Sequence, residues 1–199
     1  LLERIPDGEF PRLGKAAGRG IKRTRYDRWD ESMSEENGRT DLTGRELLDE
    51  GGARLSEAGG PDAGTDAWYL MEYVLKQNGI SDAGRSWYFL HCEEEMPENC
   101  QVAYQKLLKK RGERIPLQQL TGEQEFMGIS FLVNEHVLIP RQDTEVLVEQ
   151  VLSVAKPGMK VLDVCTGSGC IIISTALLCP GIEGTGTDLS GEALKVAEE

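Results

Sequence analysis

Lys160-Val161-Leu162-Asp163-Val164-Cys165-Thr166-Gly167-Ser168-Gly169-Cys170-Ile171-Ile172-Ile173 decides how the rest of the chain is read. A short β-branched run ends near an acid, passes through small residues and opens into an apolar helix. Such a run is how a parallel strand hands over to a helix whose N-terminus faces a ligand. Gly167 and Gly169 lack a Cβ, so the backbone there can turn sharply and approach whatever is bound. A second strand-like run, Ile182 to Thr187, ends at Asp188, 19 residues after Gly169. An acid at the tip of a second strand is suited to accept hydrogen bonds from the two hydroxyls of a ribose. The pair of features reads as a nucleoside-cofactor site.

The spacing narrows the cofactor. A dinucleotide site wants G-x-G-x-x-G, with three glycines to seat a pyrophosphate on the helix end; here the third position is Ile172. S-adenosylmethionine has no phosphate and needs a glycine-rich turn beside its methionine part together with the ribose-binding acid. Asp163-x-x-x-Gly167-x-Gly169 with Asp188 fits that pattern better. A tight strand-to-helix turn in an unrelated doubly wound protein is the plainer reading of the same residues.

Composition sets the bounds. The 199 residues suffice for one or two domains. The net charge of −12 is uneven: residues 1–32 carry +2 and the remainder −14. An acidic body disfavours non-specific binding to nucleic acid or membrane. The longest apolar run, Cys170 to Cys179, is far shorter than the roughly 20 residues needed to span a bilayer. Five cysteines (Cys92, Cys100, Cys165, Cys170, Cys179) with no paired C-x-x-C indicate neither a disulfide framework nor a zinc site. These features point to the cytoplasm and to no bound metal.

Residues 1–32 show no sustained hydrophobic period, and Met33 precedes the first helix signal. The expectation is a disordered, non-native leader over 1–32 with Met33 as initiator. A helical domain is expected over 33–114. Thr43-Gly44-Arg45-Glu46 is a capping box, followed by Leu47, Leu48, Leu55 and Ala58 on one face. A second helix from about Asp62 turns Trp68, Met71, Val74 and Leu75 inward and stops at Asn78-Gly79. A third, shorter one carries Trp87, Leu90 and His91. A fourth, from Pro97-Glu98, buries Val102, Leu107 and Leu108. From Ile115 the period becomes 2: Ile129, Phe131 and Val133 alternate, Asn134-Glu135 turns, and Val137 and Ile139 return, predicting a β-hairpin within a 115–141 linker. Asp143-Thr144-Glu145 then caps a helix with Val146, Leu147, Val151, Leu152 and Val154 as its apolar positions.

Two stretches carry a family resemblance. Pro116-Leu117-Gln118-Gln119-Leu120-Thr121-Gly122-Glu123 with Phe126-x-Gly128, and Val137-Leu138-Ile139-Pro140-Arg141-x-Asp143-Thr144-Glu145, resemble the linker of the release factor glutamine methyltransferases (HemK/PrmC type). Val161 to Ile171 is similar to that family's cofactor loop, and the helices from Thr43 to its N-terminal substrate-binding domain. The resemblance spans residues 33–199. It implies an α/β protein: a small helical bundle, a hairpin linker, then over 142–199 the start of a doubly wound, Rossmann-like methyltransferase domain. The implied activity is methyl transfer from S-adenosylmethionine to the side-chain amide of glutamine in the Gly-Gly-Gln motif of bacterial class 1 peptide chain release factors, in translation termination.

By position, Cys165, Thr166, Gly167, Ser168 and Gly169 match the family's cofactor loop, and Asp188 its ribose-binding acid. Family members commonly have glycine where Cys165 stands, so a Cβ is expected to crowd the turn there. The resemblance places Arg141 and Thr144 at the border of the methyl-transfer pocket; a surface charge for Arg141 and a helix cap for Asp143 or Thr144 are equally open. The family's Asn-Pro-Pro-Tyr substrate motif is absent from these residues. No catalytic residue is therefore assigned. The chain is expected to be the N-terminal piece of a monomeric enzyme, inactive alone and poorly folded beyond about residue 155. Two other functions compete: an adenine amino-methyltransferase acting on nucleic acid, and a non-catalytic release-factor-binding module. The first is disfavoured by the acidic body; the second predicts no cofactor binding.

Overall fold

The computed structural model describes residues 3–4, 41–80 and 82–199. The expectations for the leader and for Met33 lie outside the described residues, apart from β1 (Glu3–Arg4), whose backbone pairs antiparallel with a later strand.

The first half is helical. α1 (Gly44–Glu57) starts on the predicted capping box: the Thr43 side chain accepts from Glu46 N, and the Glu46 carboxylate accepts from Thr43 N at 2.9 Å. α2 (Ala63–Gln77) packs against α1, and α4 (Glu98–Gly112) lies across both. Between them runs the short α3 (Arg85–His91). Leu47, Leu55, Leu70, Met71, Leu75, Tyr104 and Leu108 form a closed apolar core. Gly51 on α1 leaves room for the Tyr104 ring, whose hydroxyl donates to the Ala67 carbonyl at 3.1 Å.

One inward assignment differs from expectation. On α4 the buried positions are Cys100, Gln101, Tyr104 and Leu108, while Val102 is exposed and Leu107 half-buried. On α3 no residue is fully buried, and Leu90 is 79% exposed. α3 is only two turns long, and Trp87 and Tyr88 make its packing contacts: Trp87 stacks on His91, and Tyr88 meets Trp68 edge-on.

The linker departs further. Pro116 opens a short α5 (Leu117–Thr121) inside the stretch read as period 2 from Ile115, and Leu120 joins the helical core. The hairpin is β2 (Glu123–Phe126) against β3 (Ile129–Leu132), one strand earlier than predicted. Its turn is Met127-Gly128, with φ of 53° and 72°. Left-handed conformation at both central residues matches the twist of antiparallel strands. The Glu145 carboxylate accepts from Met127 N at 2.7 Å and holds that turn. Val133 and Val137 do share a buried cluster, but 137–141 runs as irregular extended chain.

A 3-10 turn (Gln142–Thr144) leads into α6 (Glu145–Val154). Neither Asp143 nor Thr144 caps it through its side chain, a correction to the expected cap. The expected apolar face is buried only in part: Val148 is the buried position, Val151 and Leu152 are half-buried with Leu152 against the cluster of Phe126 and Phe131, whereas Val146, Leu147 and Val154 are exposed. β4 (Lys160–Val164), α7 (Cys170–Leu178) and β5 (Glu183–Thr187) form a β-α-β unit with the two strands parallel, Asp163 opposite Gly186. α8 (Gly191–Glu198) follows. The chain is thus α/β in composition, helices with two small sheets.

The sheet is built to let α7 sit close. Gly184 and Gly186 alternate on one face of β5; a Cβ on Gly184 would lie 3.0 Å from Ile172 of α7. Among the described residues no helix is long and apolar enough to cross a membrane, and no three His, Cys, Asp or Glu cluster as a metal site.

Candidate cofactor site

The β4–α7 turn is knotted by its own backbone. Thr166 N donates to the Thr187 carbonyl of β5 at 2.9 Å, and Gly169 N to the Thr166 carbonyl at 2.9 Å. Thr166 Oγ1 donates to Asp163 Oδ2 at 2.7 Å, so the acid that closes the strand braces the loop that follows it. Cys165, Gly167 and Gly169 all have positive φ, at 65°, 58° and 77°. Alternating left-handed residues turn successive N–H groups toward one concavity, an arrangement that receives oxyanions.

Here that oxyanion is Asp188. Its Oδ2 accepts from Gly167 N at 2.9 Å and its Oδ1 from Ser190 N at 2.9 Å. The N–H groups of Ser190 and then Gly167 hold the Asp188 carboxyl below the usual carboxylate range, so it is charged at neutral pH. Each oxygen has lone pairs beyond the one engaged, free to accept from further donors. Asp188 stands at the end of β5, and the Ser190 side chain caps α8 by accepting from Ala193 N at 3.2 Å. The acid is therefore fixed from both sides.

The loop glycines do different work. A Cβ on Gly167 would meet nothing within 4 Å, so its face is open; one on Gly169 would lie 2.7 Å from Ile173 and 3.3 Å from Ala197. Gly169 is thus needed for packing as well as for its φ. Cys165 is exposed, and its difficulty is conformational: a left-handed backbone at a residue bearing a Cβ. Ser168 Oγ is buried, with the Cys170 thiol as its hydrogen-bonding neighbour. Cys170, buried at the start of α7, has its thiol pushed up by burial and is inert as a nucleophile.

The fold brings Cys165 to Gly169 and Asp188 together. Among the described residues no hydrogen bond or ion pair joins Arg141 or Thr144 to the loop. Arg141 is exposed and lines an open groove of about 610 Å³ with Gln118, Gln124, Leu138 and Gln142. Thr144 is half-buried in the 3-10 turn, its N–H donating to the Arg141 carbonyl at 2.9 Å. Sequence reasoning missed the brace from Thr166 to Asp163 and the grip of Glu145 on the hairpin. The first could be suspected from an acid and a hydroxyl three residues apart around a turn; the second joins residues 18 apart and has no local signal.

Residues 46–122 match the family model described as the PrmC N-terminal domain. The chain is 38% identical over 159 residues to a protein named release factor glutamine methyltransferase from Deinococcus radiodurans, covering 78% of this chain and 54% of that one. A protein of the same name from Koribacter versatilis is 36% identical over 159 residues, 79% of this chain and 55% of that one. One from Bordetella pertussis is 40% identical over 135 residues, 67% of this chain and 48% of that one. The chain spans about half the length of the curated relatives it matches. Through the domain over 46–122 and these matches, it belongs to the release factor glutamine methyltransferase (HemK/PrmC) family.

Proposed function

We propose that these residues are the substrate-docking and cofactor-holding portion of an enzyme that methylates the glutamine side-chain amide of the Gly-Gly-Gln motif in bacterial class 1 release factors, with S-adenosylmethionine as donor. In this reading residues 142–199 open a doubly wound, Rossmann-like domain, and the enzyme works as a monomer in the cytoplasm. The observation that carries it is the hydrogen bond from Gly167 N to the Asp188 carboxylate. It ties the glycine-rich turn to a charged acceptor that suits a ribose diol. The names of the relatives supply the reaction class.

S-adenosylmethionine, when bound, supplies a methyl group on an electrophilic sulfonium. Asp188 would accept from the ribose hydroxyls, with Gly167 N and Ser190 N holding its carboxylate in place. The open face of Gly167 would let the methionine part lie against the backbone. An amide nitrogen is a poor nucleophile, and its lone pair must be freed and aimed by hydrogen bonds. No Asn-Pro-Pro-Tyr that could do so occurs in these residues. We therefore infer that residues 1–199 hold the cofactor without transferring its methyl group. The outer face of β4, where Leu162 and Val164 are exposed, supports only marginal stability beyond about residue 155 in isolation.

Calorimetric titration with S-adenosylmethionine tests the reading. Binding is expected for the unaltered chain. Asp188→Ala should weaken it by about 10–100-fold, the worth of hydrogen bonds to a charged group. Binding that is absent, or indifferent to Asp188, would overturn the reading.

A further inference from the structure

α2 stops at Asn78-Gly79, the one Asn-Gly step among the described residues. An asparagine followed by glycine carries its own reaction. The backbone nitrogen of the second residue can attack the side-chain carbonyl carbon of the first, and glycine has no side chain to obstruct it. Both residues are exposed to water. A Cβ on Gly79 would meet nothing within 4 Å, so no neighbouring side chain shields the step.

The fold instead holds the reacting atoms apart. Asn78 has φ −95° and ψ 19°, and Gly79 N donates to the Lys76 carbonyl at 3.2 Å. That nitrogen must give up its bond and swing away from α2 before it can reach Asn78 Cγ. The side chain is pinned at both ends of its amide. Asn78 Nδ2 donates to the Val74 carbonyl at 2.8 Å. Asn78 Oδ1 accepts from Asn99 Nδ2, in the first turn of α4. A donor on Oδ1 would favour an oxyanion there if the nitrogen were in reach. With Gly79 N turned to Lys76, the same bond acts as a lock between α2 and α4.

We propose that Asn78 is a site of spontaneous deamidation that the closed α2–α4 junction suppresses, so that loss of its amide records opening of the helical domain. On opening, Gly79 N forms a bond to Asn78 Cγ, the Cγ–Nδ2 bond breaks, and ammonia leaves with the proton from Gly79 N. Water then opens the cyclic imide at either carbonyl, giving aspartate or an isoaspartyl linkage. Nothing is oxidised or reduced.

Both products oppose reclosure. Aspartate sets a carboxylate against the C-terminal carbonyls of α2 and removes the donor to Val74. The isoaspartyl linkage lengthens the backbone just before Ile80, whose N–H donates to the Leu75 carbonyl at 3.1 Å and whose side chain packs on the helical core.

The test incubates the chain at mildly alkaline pH and follows amide-to-acid conversion at Asn78 by peptide mapping. A synthetic peptide of residues 74–83 is the reference. The folded chain should react at least about tenfold more slowly than the peptide, since reaction waits on local opening. In urea the chain should react at the peptide's rate. Asn99→Ala alters an exposed side chain and should leave circular dichroism unchanged. It should speed conversion by about two- to tenfold, the worth of one hydrogen bond. Asn78→Asp, the product made directly, should lower the urea midpoint. The proposal is overturned by equal rates in folded chain and peptide, or by no conversion in urea. It is equally overturned by a rate that Asn99→Ala leaves unchanged or slows, or by an undiminished midpoint in Asn78→Asp.

Discussion

Replacing Gly186 by alanine is the smallest change that should disturb the cofactor loop from beneath. Gly186 lies opposite Asp163 in the parallel pair, and a Cβ there would fall 2.9 Å from Thr166 Oγ1, 3.1 Å from Cγ2 and 3.2 Å from Cβ. Thr166 has little freedom to yield. It is buried, its N–H is bonded to Thr187 and its hydroxyl to Asp163. Rotating it away would break the brace on the acid; keeping it would force the strands apart. Overpacking of this kind costs about 1–3 kcal/mol. Alanine recovers roughly 0.5–1 kcal/mol of the backbone entropy that glycine loses in a strand. The net expectation is a loss of about 1–2 kcal/mol, confined to the β-α-β unit. No tryptophan lies beyond residue 87, so fluorescence would report on the wrong part of the chain. Amide hydrogen exchange of β4 and β5, with the helical core as internal reference, reads it directly. In a Thr166→Ala background the penalty should shrink, with a coupling of about 0.5–3 kcal/mol. Unchanged or slower exchange in Gly186→Ala would show that the loop is not wedged against the strand, and the close-packing argument would fail.

Cys165→Gly should stabilise the same unit by about 1 kcal/mol, since a left-handed residue with a Cβ is strained by roughly 1–2 kcal/mol; faster exchange in that variant would contradict the conformational account. Asp188 offers a pH signature. Its carboxyl is held low, so its contribution is complete above the unfolded value of about 3.9 and disappears only as pH falls through the lower folded value. Carboxyl carbon resonances should titrate with a midpoint below about 3.9, and loop geometry should be constant from neutral pH down to that range. A midpoint above it would mean that the Ser190 and Gly167 N–H groups do not grip the charge. Gly51→Ala, in the middle of α1, would gain about 1 kcal/mol of helix propensity on an open surface. Here the new methyl would run into the Tyr104 hydroxyl and lie 2.9 Å from Cζ, so a net loss of about 1–2 kcal/mol is expected in urea unfolding followed by tryptophan fluorescence. Stabilisation would refute the packing.

What the sequence disclosed and what it concealed divide along the range of the interactions. The capping box of α1 and the inward face of α2 follow from residues within two turns of each other, and both are as expected. The hairpin was displaced because its turn residue is weak by local criteria. Met127 takes a positive φ that Asn-Gly would adopt more cheaply, and Glu145, 18 residues on, offsets the cost. Asn134-Glu135 looked the better turn only because that partner was invisible. α4 and α6 fail in a related way. Each has apolar residues on more than one side, and which side is inward depends on the neighbouring elements: Tyr104 wins over Val102 because Gly51 opens a slot for its ring. The adjacency of loop and acid, by contrast, was legible although 21 residues separate Gly167 from Asp188. Each stands just past the end of a strand, and two parallel strands in register must bring their ends together whatever lies between. The groove of Gln118, Gln142 and Leu138 has no such geometric guarantee. Its residues are ordinary surface types on a helix, a turn and an irregular segment, and only the displaced hairpin brings them to one concavity.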